Sequence, residues 1–503
     1  MSSTVSHPLL QNLRSSLSGY DFSPAHLLLF LSGIFAISCW AWRRSAEKKN
    51  WPSLPPGPAG LPLVGNLPFL DPELHTYFTA LARMYGPVLK LQLGKKLGVV
   101  VTSPATAHEV LKDKDFTFAC RKGRDVRRPR HRAAATSEIR KTVWYLRIRA
   151  GSPVNVGEQI FLTVLNVITS TLWGGTVQGE ERERLGADFR QVVSDMTDLL
   201  GKPNISDFYP YLAQFDLQGI ERQMKGLVKR FDQIFEQMIE KRLKMEREDR
   251  NGSLDGGEKS KDFLQFLLEL KDEEDAKTHL TMTGLKALLM ASFSSTHDMV
   301  VGGTDTSSNT IEFAMAEVMN KPSVLSKIQR ELEAVVGKDN IVEESHIRRL
   351  PYLHAVMKET LRLHPATLLL IPHCPSANCT VGGYMVPKGS RVFINVWAIH
   401  RDPSIWSNSL EFHPERFLHS KCDYGGNDFN YMPFGAGRRI CVGIAMAERM
   451  VLYSLATLFH SFDWKLPEGE KMDLTEQFGI VLKKKKLLVA IPLLRFSNPR
   501  LYE

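Results

Sequence analysis

Five residues stand at fixed short spacing in PFGAGRRICVG: Phe434, Gly437, Arg439, Cys441 and Gly443. A cysteine thiolate donates electron density to iron and favours O–O cleavage. It needs help to stay deprotonated, and the iron, nearby N–H groups and a helix N-terminus provide it. The apolar run Ile444–Phe459 directly after Cys441 predicts that helix. Gly437 and Gly443 let the backbone turn tightly beneath a flat macrocycle. Phe434 is placed to shield the sulfur from water, and Arg439 to pair with a haem propionate. A lone cysteine is more often a small buried hydrophobe. Five positions together match by chance on the order of once per million windows at average residue usage.

Two further groups agree. KETLRLHP sets Glu359 and Arg362 at i,i+3 on one helix face, and Pro365 then ends the helix. FHPERF supplies Arg416 downstream. An isolated i,i+3 pair is usually a surface salt bridge worth little. VVGGTDTSSNTIEF places Asp305 and Thr306 mid-helix behind Gly302 and Gly303. Interior glycines cost a helix about 1 kcal/mol each, so something must favour them. Absent side chains leave room for a macrocycle and for oxygen. The blander reading is a Thr/Ser-rich helix satisfying its own carbonyls.

In this order the motifs resemble the cytochrome P450 superfamily, over nearly the whole chain. The proline hinge, PERF and FGAGRRIC wording is similar to plant microsomal members, especially hydroxylases of terpenoids and flavonoids. The resemblance implies a mainly α fold with small β-sheets and an N-terminal single-pass membrane anchor. It implies haem b, with Cys441 as axial ligand of the iron. O2 and NADPH-derived electrons would be used, the electrons coming from a membrane-bound NADPH–cytochrome P450 reductase. By the same resemblance, Glu359, Arg362 and Arg416 form a buried ion network that fixes the cysteine loop. Asp305 and Thr306 relay protons toward the oxygen site. Pocket walls would include Val300, Val301, Thr304, Leu368, Leu369, Leu370, Phe478 and Ile480. These are mainly apolar, which suits a small hydrophobic plant metabolite, terpenoid or flavonoid, as the acceptor of one oxygen atom.

The elements that must position these residues follow from the rest of the chain. Its 503 residues allow a large core, and 43 % hydrophobic with 24 % charged residues is ordinary globular composition. Six cysteines without a Cys-x-x-Cys pair exclude a disulfide scaffold and give a structural zinc site no support. The net charge of +9 is concentrated between Arg121 and Arg132, where seven Lys or Arg face one Asp. A chain-wide basic field for nucleic acid is therefore not indicated. Leu27–Trp42, extended to residue 25, is free of charge and spans roughly 27 Å as helix, enough for a membrane anchor. Arg43, Arg44, Lys48 and Lys49 follow it and favour a cytoplasmic C-terminal side. The expected order is a lumenal tail (1–24), the anchor (25–42), a basic and proline-rich hinge (43–67) and a catalytic body (68–503) facing the cytosol from the endoplasmic reticulum. Helical periodicity covers Gly219–Glu246, Ser323–Val336 and His346–His364. Strands are expected at Val88–Leu93, Gly98–Thr102, Arg391–Asn395 and Leu487–Pro492. Asn251–Lys261 reads as a solvated loop, and the charge run Lys483–Lys486 as a solvated turn.

Two segments depart from the family pattern. The Trp-Arg-x-x-Arg helix, whose cations hold a haem propionate in the family, should fall between Phe118 and Trp144 and is not there. The interval 121–139 lacks apolar periodicity and reads as irregular, as if a stretch were missing by deletion or exon mis-assignment. ASFSSTH, 291–297, reads as an insertion of almost two helical turns, which adds about 10 Å but shifts phase little. His297 within it is a bystander. Two alternatives to the monooxygenase therefore stay open: an inactive or haem-poor product, and a reductase-independent haem-thiolate isomerase or dehydratase.

Overall fold

Period-2 apolar runs become strands where they can pair, and here they pair into small sheets. In the computed structural model, which describes residues 32, 52–118, 132–173, 180–251 and 301–503, β1 (Val88–Leu93) and β2 (Lys96–Val101) form an antiparallel hairpin. β3 (Val154–Asn155), β4 (Cys379–Val381) and β5 (Tyr384–Val386) are shorter, and β4 pairs antiparallel with β5. β6 (Arg391–Ile394) joins β2 in parallel. β7 (Phe462–Lys465) and β3 flank β10 (Val489–Leu494), while β8 (Glu476–Gln477) and β9 (Lys483–Lys484) make a separate two-stranded ribbon.

Helices supply the bulk. The longer ones are α1 (Leu74–Tyr85), α2 (Arg132–Arg147), α3 (Val156–Trp173), α4 (Glu180–Gly201), α5 (Ile220–Asn251), α6 (Val301–Asn320), α7 (Pro322–Val335), α8 (Pro351–Leu363) and α9 (Ile444–Ser461). α9 is apolar nearly all round, and every residue from Met450 to Ser461 is buried, as expected of a helix through a core. α6 packs against α3, α8 and α9. The largest apolar cluster joins these helices to α2, α4 and α5.

Several expectations are corrected. His346–His364 is not one helix: a short turn, Glu344–Ile347, precedes α8, which starts at Pro351. Proline lacks the N–H that would continue a helix but fits the first helical turn. Residues 132–139, expected irregular, belong to α2. Ala133, Ala134 and Ala135 have the best helix propensity and outweigh the absent apolar period. One compact unit runs from Leu54 to Glu503. The proline segment is pinned to β1, with Lys90 N donating to Pro56 O at 2.8 Å and Asn66 N to Gln92 O at 2.6 Å. Lys483–Lys486 is not a plain solvated turn, because Lys484 is buried and donates to the carbonyl of Asp473. The expected anchor (25–42, apart from Ser32), residues 121–131, the loop 252–261 and the insertion 291–297 lie outside the described residues. No helix among the described residues is long and apolar enough to cross a membrane.

Candidate active site

The cysteine loop leaves the buried Tyr431 and Met432 and runs into α9. Gly437 has φ +67°, and a side chain there would strike the carbonyl oxygen of Leu111. Glycine is thus required at this turn by both conformation and space. Gly443 is different: its φ is −84°, and an added Cβ would sit 3.7 Å from Cys441 Sγ. Gly435, which the sequence reading passed over, also has positive φ, +73°. Cys441 N donates to Phe434 O at 3.0 Å, closing the loop. Gly443 N points at Cys441 Sγ at 3.3 Å, and α9 begins one residue later. The sulfur therefore faces an N–H donor and the positive end of a long helix, both of which favour a thiolate. Surrounding protein desolvates the solvent-accessible Cys441 enough to push its thiol pKa up, with Gly443 N–H opposing. Such a thiol is not a free nucleophile at neutral pH; a bound cation is what deprotonates it.

Phe434 is half-buried beside the loop, with its ring edge-on to Tyr424 at 5.3 Å. Arg438 turns outward to Asp115 at 2.8 Å. Arg439 lies near His373, whose pKa is held down by burial first and by the charge of Arg439 in addition. His373 was not singled out from the sequence. Its backbone pairs with Val392 in both directions at 2.9 and 2.8 Å, which fixes it beside the loop. Its position two residues after Leu369–Leu370–Ile371 was the available signal.

Glu359, Arg362 and Arg416 are brought together. Glu359 and Arg362 are fully buried and bidentate, at 2.8 and 2.9 Å. Arg416 Nε reaches Glu359 at 3.1 Å, and His413 N donates to the same carboxylate oxygen at 2.7 Å. Arg362 also donates to the carbonyls of His400, Ser409 and Glu411. The trio thus binds α8 to the meander, residues 401–417, that leads toward the cysteine loop.

Asp305 and Thr306 separate in direction. Thr306, half-buried, donates to Gly302 O within its own helix, as Ser308, Asn309 and Thr310 do toward Thr304, Asp305 and Thr306. Asp305 leaves the helix: it is buried, and its Oδ2 lies 3.4 Å from Lys483 Nζ of β9. Burial raises its pKa, and Lys483 and Thr197 oppose that. Lys483 also lies 3.4 Å from Asp198, which is open to solvent. An acid reached from solvent through one lysine, next to an alcohol on the open side of the helix, is suited to moving protons.

The family model for Cytochrome P450 matches residues 55–131 and 125–491. The chain belongs to the cytochrome P450 family. A flavonoid 3',5'-hydroxylase of Crocosmia x crocosmiiflora is 36 % identical over 535 residues, covering 94 % of this chain and 97 % of the relative. Carnosic acid synthase of Rosmarinus officinalis is 36 % identical, covering 93 % and 98 %. A zebra fish cytochrome P450 solved with abiraterone superposes with a TM-score of 0.64 at 25 % identity, covering 85 % of this chain and 99 % of that one. The protein is a P450 monooxygenase related to plant flavonoid and terpenoid hydroxylases. Its cofactor is haem b, which when bound supplies the iron at which O2 is activated with reductase-derived electrons.

The residues of this P450 fit that group on the sulfur side. Cys441 is accessible, its Sγ is aimed at by an N–H, and no metal-binding cluster of His, Cys, Asp and Glu competes among the described residues. Arg439 offers positive charge for a propionate, and His373 beside it, biased to its neutral form, offers a hydrogen bond instead of charge. On the opposite helix Gly302 is exposed, as close approach requires. Gly303 has another cause, because a Cβ there would meet Ile168 Cδ1 of α3 at 3.1 Å.

The expected pocket residues divide. Val300 lies outside the described residues, and of Val301 only the helical backbone is described. Thr304 is fully buried. Leu368 and Leu369 pack in one cluster with Phe478. Leu370, with φ +49°, comes within 3.9 Å of where a Cβ on Gly435 would stand, so this segment abuts the cysteine loop. Ile480 N lies beside Gly201 at the end of α4.

The two pieces of the family match meet at 125–131, inside the arginine-rich interval. In α2, which follows, two of the described cations are engaged elsewhere. Its Arg140 binds the carbonyls of Leu501 and Glu503 at 3.0 and 2.9 Å, and its Arg147 binds Pro499 O and the Glu503 carboxylate, each at 3.4 Å.

Proposed function

We propose that this P450 inserts one oxygen atom from O2 into a small hydrophobic plant metabolite of the flavonoid or terpenoid class. Cys441 acts as the axial thiolate, and an NADPH-dependent reductase in the endoplasmic reticulum membrane supplies the electrons. The observation that carries the reading is the cysteine loop, with an accessible sulfur facing a backbone N–H at the head of a buried helix. Asp305 and Thr306 pass protons from the solvent side. Leu368–Leu370, Phe478 and Ile480 form apolar pocket wall, and the relatives named for flavonoid and diterpenoid products support the substrate class.

Membrane attachment is supported by an apolar surface that needs a partner. Leu61, Leu63, Val64 and Phe69 are exposed, as are Tyr211, Phe215 and Leu217. Tyr209 Oη donates to Leu63 O at 3.1 Å, which joins the two stretches. Such a patch suits a body resting on a bilayer, and the charge-free sequence 25–42 suits an anchor.

The test is spectral and then catalytic. Reduced protein under carbon monoxide should give the red-shifted Soret band of a thiolate-ligated adduct, and Cys441→Ala should abolish it. Flavonoids and terpenes should then be screened for substrate-induced spectral shifts and for NADPH-dependent oxygen uptake with reductase. A shifted band without any oxygen uptake would favour the isomerase or dehydratase. No haem uptake would favour the haem-poor product, a reading that the engagement of Arg140 and Arg147 at the C-terminus supports.

A further inference from the structure

A second buried ion cluster lies on the far side of α8 from the cysteine loop's own support. His364 caps α8 just before Pro365 and is buried. Its Nδ1 meets Glu476 Oε1 at 2.6 Å and its Nε2 meets Glu317 Oε1 at 2.9 Å. Arg401 donates to the same Glu476 oxygen at 2.9 Å, and Trp397 Nε1 to the other at 3.1 Å. Phe313 of α6 stacks on the imidazole at 4.3 Å, and Lys484 Nζ lies over the Phe313 ring at 5.7 Å. Burial disfavours charge on His364, but the two carboxylates outweigh it and raise its pKa. Burial likewise works against Glu476, yet His364 and Arg401 draw its pKa down to about 2. Glu476 is thus an anion at neutral pH and His364 is biased toward its cation, and neither has a role in the chemistry described above.

The cluster sits where two pocket segments leave the core. His364 is four residues before Leu368, and Glu476 is two residues before Phe478. The same segments are tied a second time, after Ile480 on one and before Leu368 on the other, where Leu482 N donates to Ala366 O at 2.8 Å. His75 stacks on Phe478 at 5.5 Å and lies 4.0 Å from Glu476, so the wall residue and the ion cluster share a neighbour. Between the two ties Gln477 pairs with Lys483 in the β8–β9 ribbon, whereas Phe478, Gly479 and Ile480 lie outside the ladder and are half-buried. With the His364–Glu476 tie cut, the β8–β9 ladder would still close the loop, and the loop as a unit would hinge on Leu482 and Ala366.

We propose that His364 and Glu476 are positioning residues that set the separation of the Leu368–Leu370 and Phe478–Ile480 walls, and so determine which substrates fit by size. The inference rests on the monooxygenase reading for the identity of the pocket, though the clamp itself does not require activity.

The test uses full-length protein as purified, with Glu476→Gln and His364→Phe. Glutamine keeps the size of Glu476 and removes its charge; phenylalanine keeps the stack on Phe313 and removes both hydrogen bonds. Amide hydrogen exchange of Phe478–Leu482 should accelerate about tenfold or more in each variant, while Val356–Leu361 in α8 stays unchanged. In haem-loaded protein, spectral titration with imidazole should be unchanged within about twofold, whereas 4-phenylimidazole should shift by roughly fivefold or more, because only the larger probe meets the wall. Unchanged exchange, or acceleration spread evenly through α8, overturns the clamp. Equal shifts for the two azoles overturn the size role. Exchange is read without haem, so failure of the monooxygenase reading leaves the test of the clamp intact.

Discussion

Replacing Glu359 by glutamine removes one charge from the network behind the cysteine loop and changes almost no volume. Glu359 is fully buried, and its two oxygens accept four hydrogen bonds: two from Arg362, one from Arg416 and one from His413 N. A glutamine keeps one acceptor oxygen and turns the other into an NH2 group facing a donor. Two guanidinium groups, 0 % and 9 % exposed, then lose their counter-charge. Breaking one side of a buried pair costs about 3–5 kcal/mol. A typical domain has about 5–15 kcal/mol in total, so the loss is a large share of it. The meander between Arg401 and Phe417 should loosen first, because Arg362 and Arg416 hold its carbonyls. We expect a lower denaturation midpoint, faster amide exchange at 407–413 and little thiolate-type CO adduct. Arg416→Met should cost less, since Arg362 still neutralises Glu359. A Glu359→Gln protein with an unchanged midpoint and a full CO band would refute the view that this network holds the loop.

Gly437→Ala should abolish the CO band, because it adds a Cβ at positive φ against Leu111 O, whereas Gly443→Ala should keep most of it, since its φ is ordinary and its nearest contact is 3.7 Å. Glu476 has a pKa of about 2 in the fold against an ordinary 4.5, so it contributes stability above pH 4.5 that is lost as pH falls toward 2. The difference in unfolding free energy between the native chain and Glu476→Gln should therefore shrink by about 3 kcal/mol across that window, and a pH-independent difference would contradict the assignment. Haem should pass to apomyoglobin faster from this protein than from a plant relative with an intact Trp-Arg-x-x-Arg helix; equal transfer rates would mean that other cations hold the propionates.

The cysteine loop was legible because its constraints are local. Phe434, Gly437, Cys441 and Gly443 act within ten residues, so their spacing survives in the text. Even there the sequence could not tell which glycine was obligatory: Gly437 is, Gly443 is not, and Gly435 went unnoticed. The network was legible as three residue types in order. Its remaining partners, the carbonyls of His400, Ser409 and Glu411, have no side-chain signature. The charge run Lys483–Lys486 was misread for a similar reason. Alternation in a strand sends neighbouring lysines to opposite faces, and which face is buried depends on what packs above it. Lys483 meets Asp305 and Lys484 meets Asp473 only because the β8–β9 ribbon lies under α6.

The same ribbon ties together features that are far apart in sequence. Glu476 opens it within the His364 cluster, Phe478 and Ile480 follow as pocket wall, and Lys483 closes it on Asp305. One eight-residue excursion, Glu476 to Lys483, thus touches the proposed pocket and the acid that would feed protons to it. The haem edge is built with less redundancy. Arg439 stands on one side beside His373, and in α2 Arg140 and Arg147 are committed to residues 499–503. Ligation through Cys441 and retention of the macrocycle are therefore separable properties of this chain. The first depends on a loop held by α8, α9 and Leu111, all in place; the second depends on cations, and fewer of them are aimed at the haem edge among the described residues.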